Sequence, residues 1–177
     1  MFAKIAISIV ALLVIFLGYV STRESKFNYV RSGVIKAPAE KIYPYISDFK
    51  LGGEWSPYEK VDPNMKKTYE GTPGQPGHKM SFQGNKDAGS GRIEILNAVP
   101  NESVELKLTM TEPFQAENIV IYKLTQEGSG TRFSWSMSGD GGFMTKLISV
   151  FIDCEKMIAG QFDQGISNLK TLVESQK

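Results

Sequence analysis

The sequence predicts an α+β domain behind an N-terminal apolar helix, with a curved antiparallel sheet closed on a long C-terminal helix. Three observations carry this reading. The run Ile5 to Val20 contains no charged residue. Strand-like segments follow one another between His78 and Ser138, each bounded by turn residues. Phe143 to Glu174 then has no proline and an apolar residue at steps of three and four.

The first segment, residues 1–21, reads as a transmembrane anchor or a signal segment. Counted from Phe2, a helix ending at Val20 is about 28 Å long, close to a ~30 Å hydrocarbon core. Lys4 can snorkel to one interface and Tyr19 suits the other. A cleaved signal peptide is the competing reading, although Lys4 is the one charge of its n-region and LGYVSTRES has no clean pair of small residues for a cut. A buried N-terminal helix is the third. Lys4 on one side and Arg23 with Lys26 on the other leave the positive-inside rule nearly balanced. A single-pass anchor with the domain exported is the commoner outcome for such a segment. Residues 22–27 are polar and form a short tether, and residues 28–177 form the domain.

Composition narrows the function. The chain has 20 basic and 19 acidic residues, and Lys4 accounts for the difference. The domain therefore lacks the basic stripe that nucleic acid requires, and the juxtamembrane polybasic cluster that anionic lipid favours. Cys154 is the sole cysteine and His78 the sole histidine, which excludes an intramolecular disulfide and a Cys/His zinc site within one chain. Gly89-Ser90-Gly91 and Gly128-Ser129-Gly130 precede strands rather than helices, so they read as hairpin turns and not phosphate cradles. Nothing in the sequence calls for a cofactor or a metal.

The elements follow in order. Asn28 to Lys36 is rich in β-branched and aromatic residues, a strand. Pro38 and Glu40 open a helix over residues 38–49, with Ile42, Tyr43, Tyr45, Ile46 and Phe49 at helical spacing. Leu51-Gly52-Gly53 ends it. Met65 to Glu70 is a strand, and GTPGQPG (residues 71–77) is a loop. Strands follow at 78–83, 91–98, 103–111, 116–125 and 131–138. In the third of these Val104, Leu106, Leu108 and Met110 oppose Glu105, Lys107 and Thr109. In the last, Phe133, Trp135 and Met137 oppose Arg132, Ser134 and Ser136. Such alternation gives one buried and one wetter face. Residues 143–174 form a single long helix whose apolar stripe includes Phe151, Cys154, Ile158, Phe162 and Leu169. Gly160 and Gly165 each cost that helix about 1 kcal/mol against alanine, which a pocket or a close sheet contact would explain.

The pieces VIKAPAEKIY (residues 34–43), ISDF (46–49) and EWSP (54–57) resemble the opening of the START-like superfamily. The branch they resemble is the polyketide cyclase/dehydrase and lipid-transport group of SRPBCC proteins. GTRFSW (130–135) is similar to that group's last strand, and GQFDQGISNLK (160–170) to its terminal helix. The resemblance covers Phe27 to Lys177. It implies the helix-grip fold, in which about seven strands grip the C-terminal helix around a deep apolar cavity for hydrophobic ligands. It does not imply one chemistry.

Candidate cavity residues are Trp55, Tyr58, Met80, Phe82, Phe133, Trp135, Met137, Phe151, Ile158 and Phe162. For each, plain core packing is the competing role. No catalytic constellation is visible. Weak candidates for proton transfer are His78, Glu54 and Tyr58; a strand-end His78 sits either at a cavity mouth or in a solvated loop. Cys154 reads as a small buried hydrophobe. The leading functional reading is a membrane-tethered domain that holds a lipid, isoprenoid or polyketide-like molecule. The alternatives are a cyclase or dehydratase acting in the same cavity, or a protein-interaction module whose cavity is vestigial.

Overall fold

The computed structural model describes residues 2–176. Met1 and Lys177, the outer limits of the anchor and of the domain as read from the sequence, lie outside the described residues. Helix α1 (Phe2–Ser21) exposes its apolar side chains along nearly its whole length and buries Val20 at its end. Among the described residues it is the one helix long and apolar enough to cross a membrane.

The strands are β1 (Lys26–Ile35), β2 (Lys66–Glu70), β3 (Lys79–Gln83), β4 (Ser90–Val99), β5 (Ser103–Glu112), β6 (Ala116–Glu127) and β7 (Gly130–Asp140). They form one antiparallel sheet in the order β1-β7-β6-β5-β4-β3-β2. Strands β2 to β7 are successive hairpins, and β1 joins at the β7 edge. β1 starts at Lys26 rather than Asn28, because Lys26 and Phe27 already pair with Asp140 and Gly139. The register puts Lys26, Asp140, Asn118, Met110 and the β3–β4 turn at one end of the sheet. Register shifts in β4, at Ser90/Gly91 and Ile95/Asn97, bend the sheet.

The predicted alternation sets the concave face. Val104 and Leu106 of β5, and Thr131, Phe133, Trp135 and Met137 of β7, are buried. Helix α5 (Cys154–Ser175) lies across this face and buries Phe162, Ile166, Leu169 and Val173. Each such apolar side chain contributes roughly 1.5–3 kcal/mol by leaving water. Glycine permits the close approach at Gly33, where a Cβ would stand 2.7 Å from Ile166 Cγ2. Helices α2 (Ala39–Ser47) and α3 (Phe49–Gly52) cover one end, followed by a 3-10 turn at Pro57–Lys60.

The C-terminal helix is not continuous. Helix α4 (Gly142–Ile148) ends, the chain turns through residues 149–153, and α5 begins at Cys154. Helical spacing runs through this segment, but Asp153 Oδ1 accepts from Lys156 N at 2.9 Å and caps a new helix. The β-branched Val150 and Ile152 before it favour the interruption.

Candidate functional site

Where α5 crosses the sheet it leaves one end of the concave face unfilled. The result is a partly open cavity of about 380 Å³, within the range of small-molecule pockets. Alternate residues of the central strands make its floor, among them Met80 and Phe82 of β3, Ile93 of β4, Leu108 and Met110 of β5, and Val120 and Tyr122 of β6. Trp135 and Met137 of β7, with Ile158 and Phe162 of α5, close one side. Tyr58 and Glu59 of the 3-10 turn, with Val61 and Met65 beyond it, complete the wall, and the Tyr58 ring meets that of Trp135 edge-on with centroids 6.3 Å apart.

The polar atoms here are few. Tyr58 and Tyr122 both line the cavity. Burial pushes the Tyr58 hydroxyl up to about 12. Tyr122 is raised further, first by burial and then by the nearby Tyr58. Burial disfavours the anionic form of a phenol, strongly for Tyr122 and less for Tyr58, which is 42 % exposed, and both stay neutral O–H donors at physiological pH. Glu59 is paired with Lys67. Asn118 and Asp87 add polar edges. Among the described residues, no group of three or more His, Cys, Asp or Glu side chains is placed to hold a metal ion.

An aromatic cluster supports the wall. The Trp135 ring stacks on Phe162 with centroids 4.2 Å apart, and Trp55 and Tyr122 meet it edge-on at 5.4 and 5.5 Å. Trp135 Nε1 is buried in this cluster without a hydrogen-bond partner. Trp55 Nε1 donates to Tyr45 O at 2.7 Å, and Asn168 Nδ2 donates to Trp55 O at 2.9 Å. Trp55 therefore ties α2 to α5.

Of the residues singled out in the sequence, Tyr58, Met80, Phe82, Trp135, Met137, Ile158 and Phe162 border the cavity. Three do not. Trp55 and Phe133 are packed behind it, edge-on to each other with ring centroids 5.9 Å apart. Phe151 is 73 % exposed, because the break before α5 turns it away from the sheet and toward α1. Glu54 is exposed and outside the cavity wall.

His78 fits neither the cavity mouth nor a solvated loop. It is buried, stacked on Phe49 with centroids 4.7 Å apart, and its Nδ1 lies 3.0 Å from Glu70 O. Nε2 has no hydrogen-bond partner, and Asp48 Oδ1 stands 4.0 Å from it. The hydrogen bond to a carbonyl puts the proton of the neutral ring on Nδ1. Phe49, which α3 brings from another part of the chain, is what covers it.

The sequence reading missed Tyr122, Ile93, Leu108, Met110, Val120 and Asn118 as wall residues. Leu108 and Met110 belong to the alternation already visible in β5. Tyr122 shares a parity with Val120 and Leu124 on β6, a pattern that marks a face without saying which part of it stays open.

The model of the family described as polyketide cyclase / dehydrase and lipid transport matches residues 26–174. No curated protein matches the chain. Several solved structures share the fold. Protein MLL2253 from Mesorhizobium loti is 19% identical with a TM-score of 0.60, over 85% of this chain and 99% of that one. The Aha1 dimer from Colwellia psychrerythraea has the same identity and TM-score, over 85% and 98%. The di-domain ARO/CYC BexL from the BE-7585A biosynthetic pathway is 16% identical with a TM-score of 0.64, over 99% of this chain and 59% of that one.

Proposed function

Because the chain belongs to the polyketide cyclase / dehydrase and lipid transport family, we propose that it is a membrane-tethered domain that binds one hydrophobic molecule between its sheet and α5. The carrying observation is the cavity itself, about 380 Å³ and walled chiefly by Met, Leu, Ile, Val and aromatic side chains. An open apolar surface of this kind gains free energy when a ligand replaces water there. The ligand class is a lipid, isoprenoid or polyketide-like compound, apolar along most of its length. The Tyr58 and Tyr122 hydroxyls suit one carbonyl or hydroxyl oxygen on it.

Helix α1 supplies the tether, at about the length of a hydrocarbon core. It would keep the domain where such molecules partition. A cyclase or dehydratase needs a group that takes a proton from the substrate. His78 lies outside the cavity. The two tyrosines hold their protons, the Glu59 carboxylate is engaged by Lys67, and the remaining carboxylate on the wall, Asp87, is a solvent-exposed side chain at the cavity edge. A binding role asks for none of these groups.

Native mass spectrometry of the full chain released from detergent tests the reading. A one-to-one lipophilic adduct is expected, and it should vanish in Leu108→Trp, which fills the floor of the cavity. An adduct that persists in Leu108→Trp would place the ligand elsewhere. A bare mass after incubation with candidate lipophiles would count against binding.

A further inference from the structure

We propose that the turn between α4 and α5 is itself inserted in the bilayer beside α1, so that the cavity end of the domain faces the membrane. This rests on the reading of α1 as a spanning helix. The partner is a lipid bilayer, and the argument begins with depth. The Phe151 ring lies 6.1 Å from that of Phe16, centroid to centroid. Phe16 is five residues before the end of α1, about 7.5 Å along its axis. If α1 spans, Phe16 is inside the hydrocarbon, and a side chain touching it is at or below the headgroup boundary.

The chemistry of the turn agrees with that depth. Phe151 is 73 % exposed and Ile152 49 %. Phe143, Met144 and Met157, on the two helices that flank the turn, are also exposed. Exposed apolar side chains concentrated on one turn and its flanks are unfavourable in water and favourable in acyl chains. Asp153 follows the apolar tip and keeps its carboxylate on the Lys156 N–H. It limits the inserted part to Phe151 and Ile152, with the charges beyond at headgroup level.

The placement relative to α1 is fixed by contacts rather than by a free linker. Lys146 Nζ donates to Ser21 O at 3.0 Å, and Gly141 N donates to Ser25 O at 3.2 Å. Val20 is fully buried at this junction. Arg23 stands over the Tyr19 ring at 5.7 Å, a cation and an aromatic at the depth where headgroups lie.

The cavity shares this end of the domain. Met110, Asn118 and Met137 line it, and all three sit toward the sheet end where β1 begins and β7 stops. Phe114, in the β5–β6 hairpin at the same end, is exposed as well. A ligand dissolved in the bilayer would thus reach the cavity from the side on which it partitions.

Depth-dependent quenching tests the insertion on the full chain in phosphatidylcholine–phosphatidylglycerol vesicles. In a Cys154→Ala background, single cysteines made by Phe151→Cys, Leu13→Cys and Ser129→Cys carry an environment-sensitive fluorophore. Nitroxide-labelled acyl chains should quench the label at position 151 and at position 13, and leave position 129, in the hairpin at the far end of the sheet, unchanged. Quenching at 13 without quenching at 151 would overturn the insertion while leaving the tether intact. Quenching at neither would overturn both. Ile152→Cys provides a second probe of the same turn should Phe151→Cys misfold, and it is expected to quench alike.

Discussion

Gly165 of α5 lies directly against the Trp135 ring of β7: a Cβ at Gly165 would stand 2.7 Å from Trp135 Cζ3. Phe162 stacks on the ring, and Trp55 and Tyr122 meet it edge-on, so it can shift only by disturbing this cluster. The absent side chain at Gly165 is what lets the helix come down on the sheet. Gly165→Ala should therefore lose roughly 1–3 kcal/mol by overpacking, more than the roughly 1 kcal/mol that alanine returns in helix propensity. Gly160→Ala is the internal control. Nothing lies within 4 Å of its Cβ position, so the same substitution should stabilise by about 0.5–1 kcal/mol. Denaturant midpoints of the two variants should move in opposite directions.

Alkaline stability follows from the two cavity tyrosines. Their folded-state pKa values are raised, Tyr58 to about 12 and Tyr122 further, both mainly by burial. A raised value means the folded state holds its proton where the unfolded chain, near 10, has lost it. The contribution of these groups is complete below pH ~10 and declines as pH rises through the folded values. Unfolding midpoints of the wild type should fall above pH ~10. Tyr122→Phe should flatten that fall more than Tyr58→Phe, because Tyr122 is the more deeply buried. A pH profile from 8 to 11 that is parallel in all three proteins would contradict this.

Much of the architecture was legible because period-two and helical patterns are local. Phe133, Trp135 and Met137 announce a buried face, and so do Val104, Leu106 and Leu108. What the pattern could not show is where α5 leaves that face empty. Phe133 and Trp135 share one face of β7, yet the first is core and the second is cavity wall. Phe151 was misplaced for a different reason. Its spacing suits a continuous stripe, but the Asp153 cap starts a new helix just after it. Trp55 and His78 owe their burial to partners distant in sequence, the rings of Tyr122, Phe133 and Trp135 for the one and Phe49 for the other. No local signal marks such pairings.

The Tyr58 and Tyr122 hydroxyls predict a chemical preference in the ligand. Each Tyr→Phe exchange removes one donor and little volume. For a lipophile carrying a carbonyl or hydroxyl oxygen, each should weaken binding by about 0.5–1.5 kcal/mol, roughly twofold to tenfold. A matched hydrocarbon lacking that oxygen should bind both variants as it binds the wild type. Fluorescence titration with the two probes separates these outcomes, and equal losses for both would assign the effect to packing rather than to hydrogen bonding.

His78 offers the sharpest separation of a structural role from a chemical one. It is the sole histidine, and a catalytic assignment would fall on it first. Its surroundings argue otherwise: it stacks on Phe49, bonds Glu70 O, and does not line the cavity. His78→Ala should remove the stack, open a void and strand a backbone carbonyl, at a cost of roughly 2–4 kcal/mol. His78→Phe keeps the ring on Phe49 and loses only the hydrogen bond, so roughly 1–2 kcal/mol of that cost should remain. In both variants the fraction that stays folded should bind ligand with wild-type affinity, since Asp48, Phe49 and Glu70 around the ring are likewise outside the cavity. Chemical denaturation and ligand titration on the same samples read the two effects separately. Weakened binding in fully folded His78→Phe would show that this residue acts on the cavity after all.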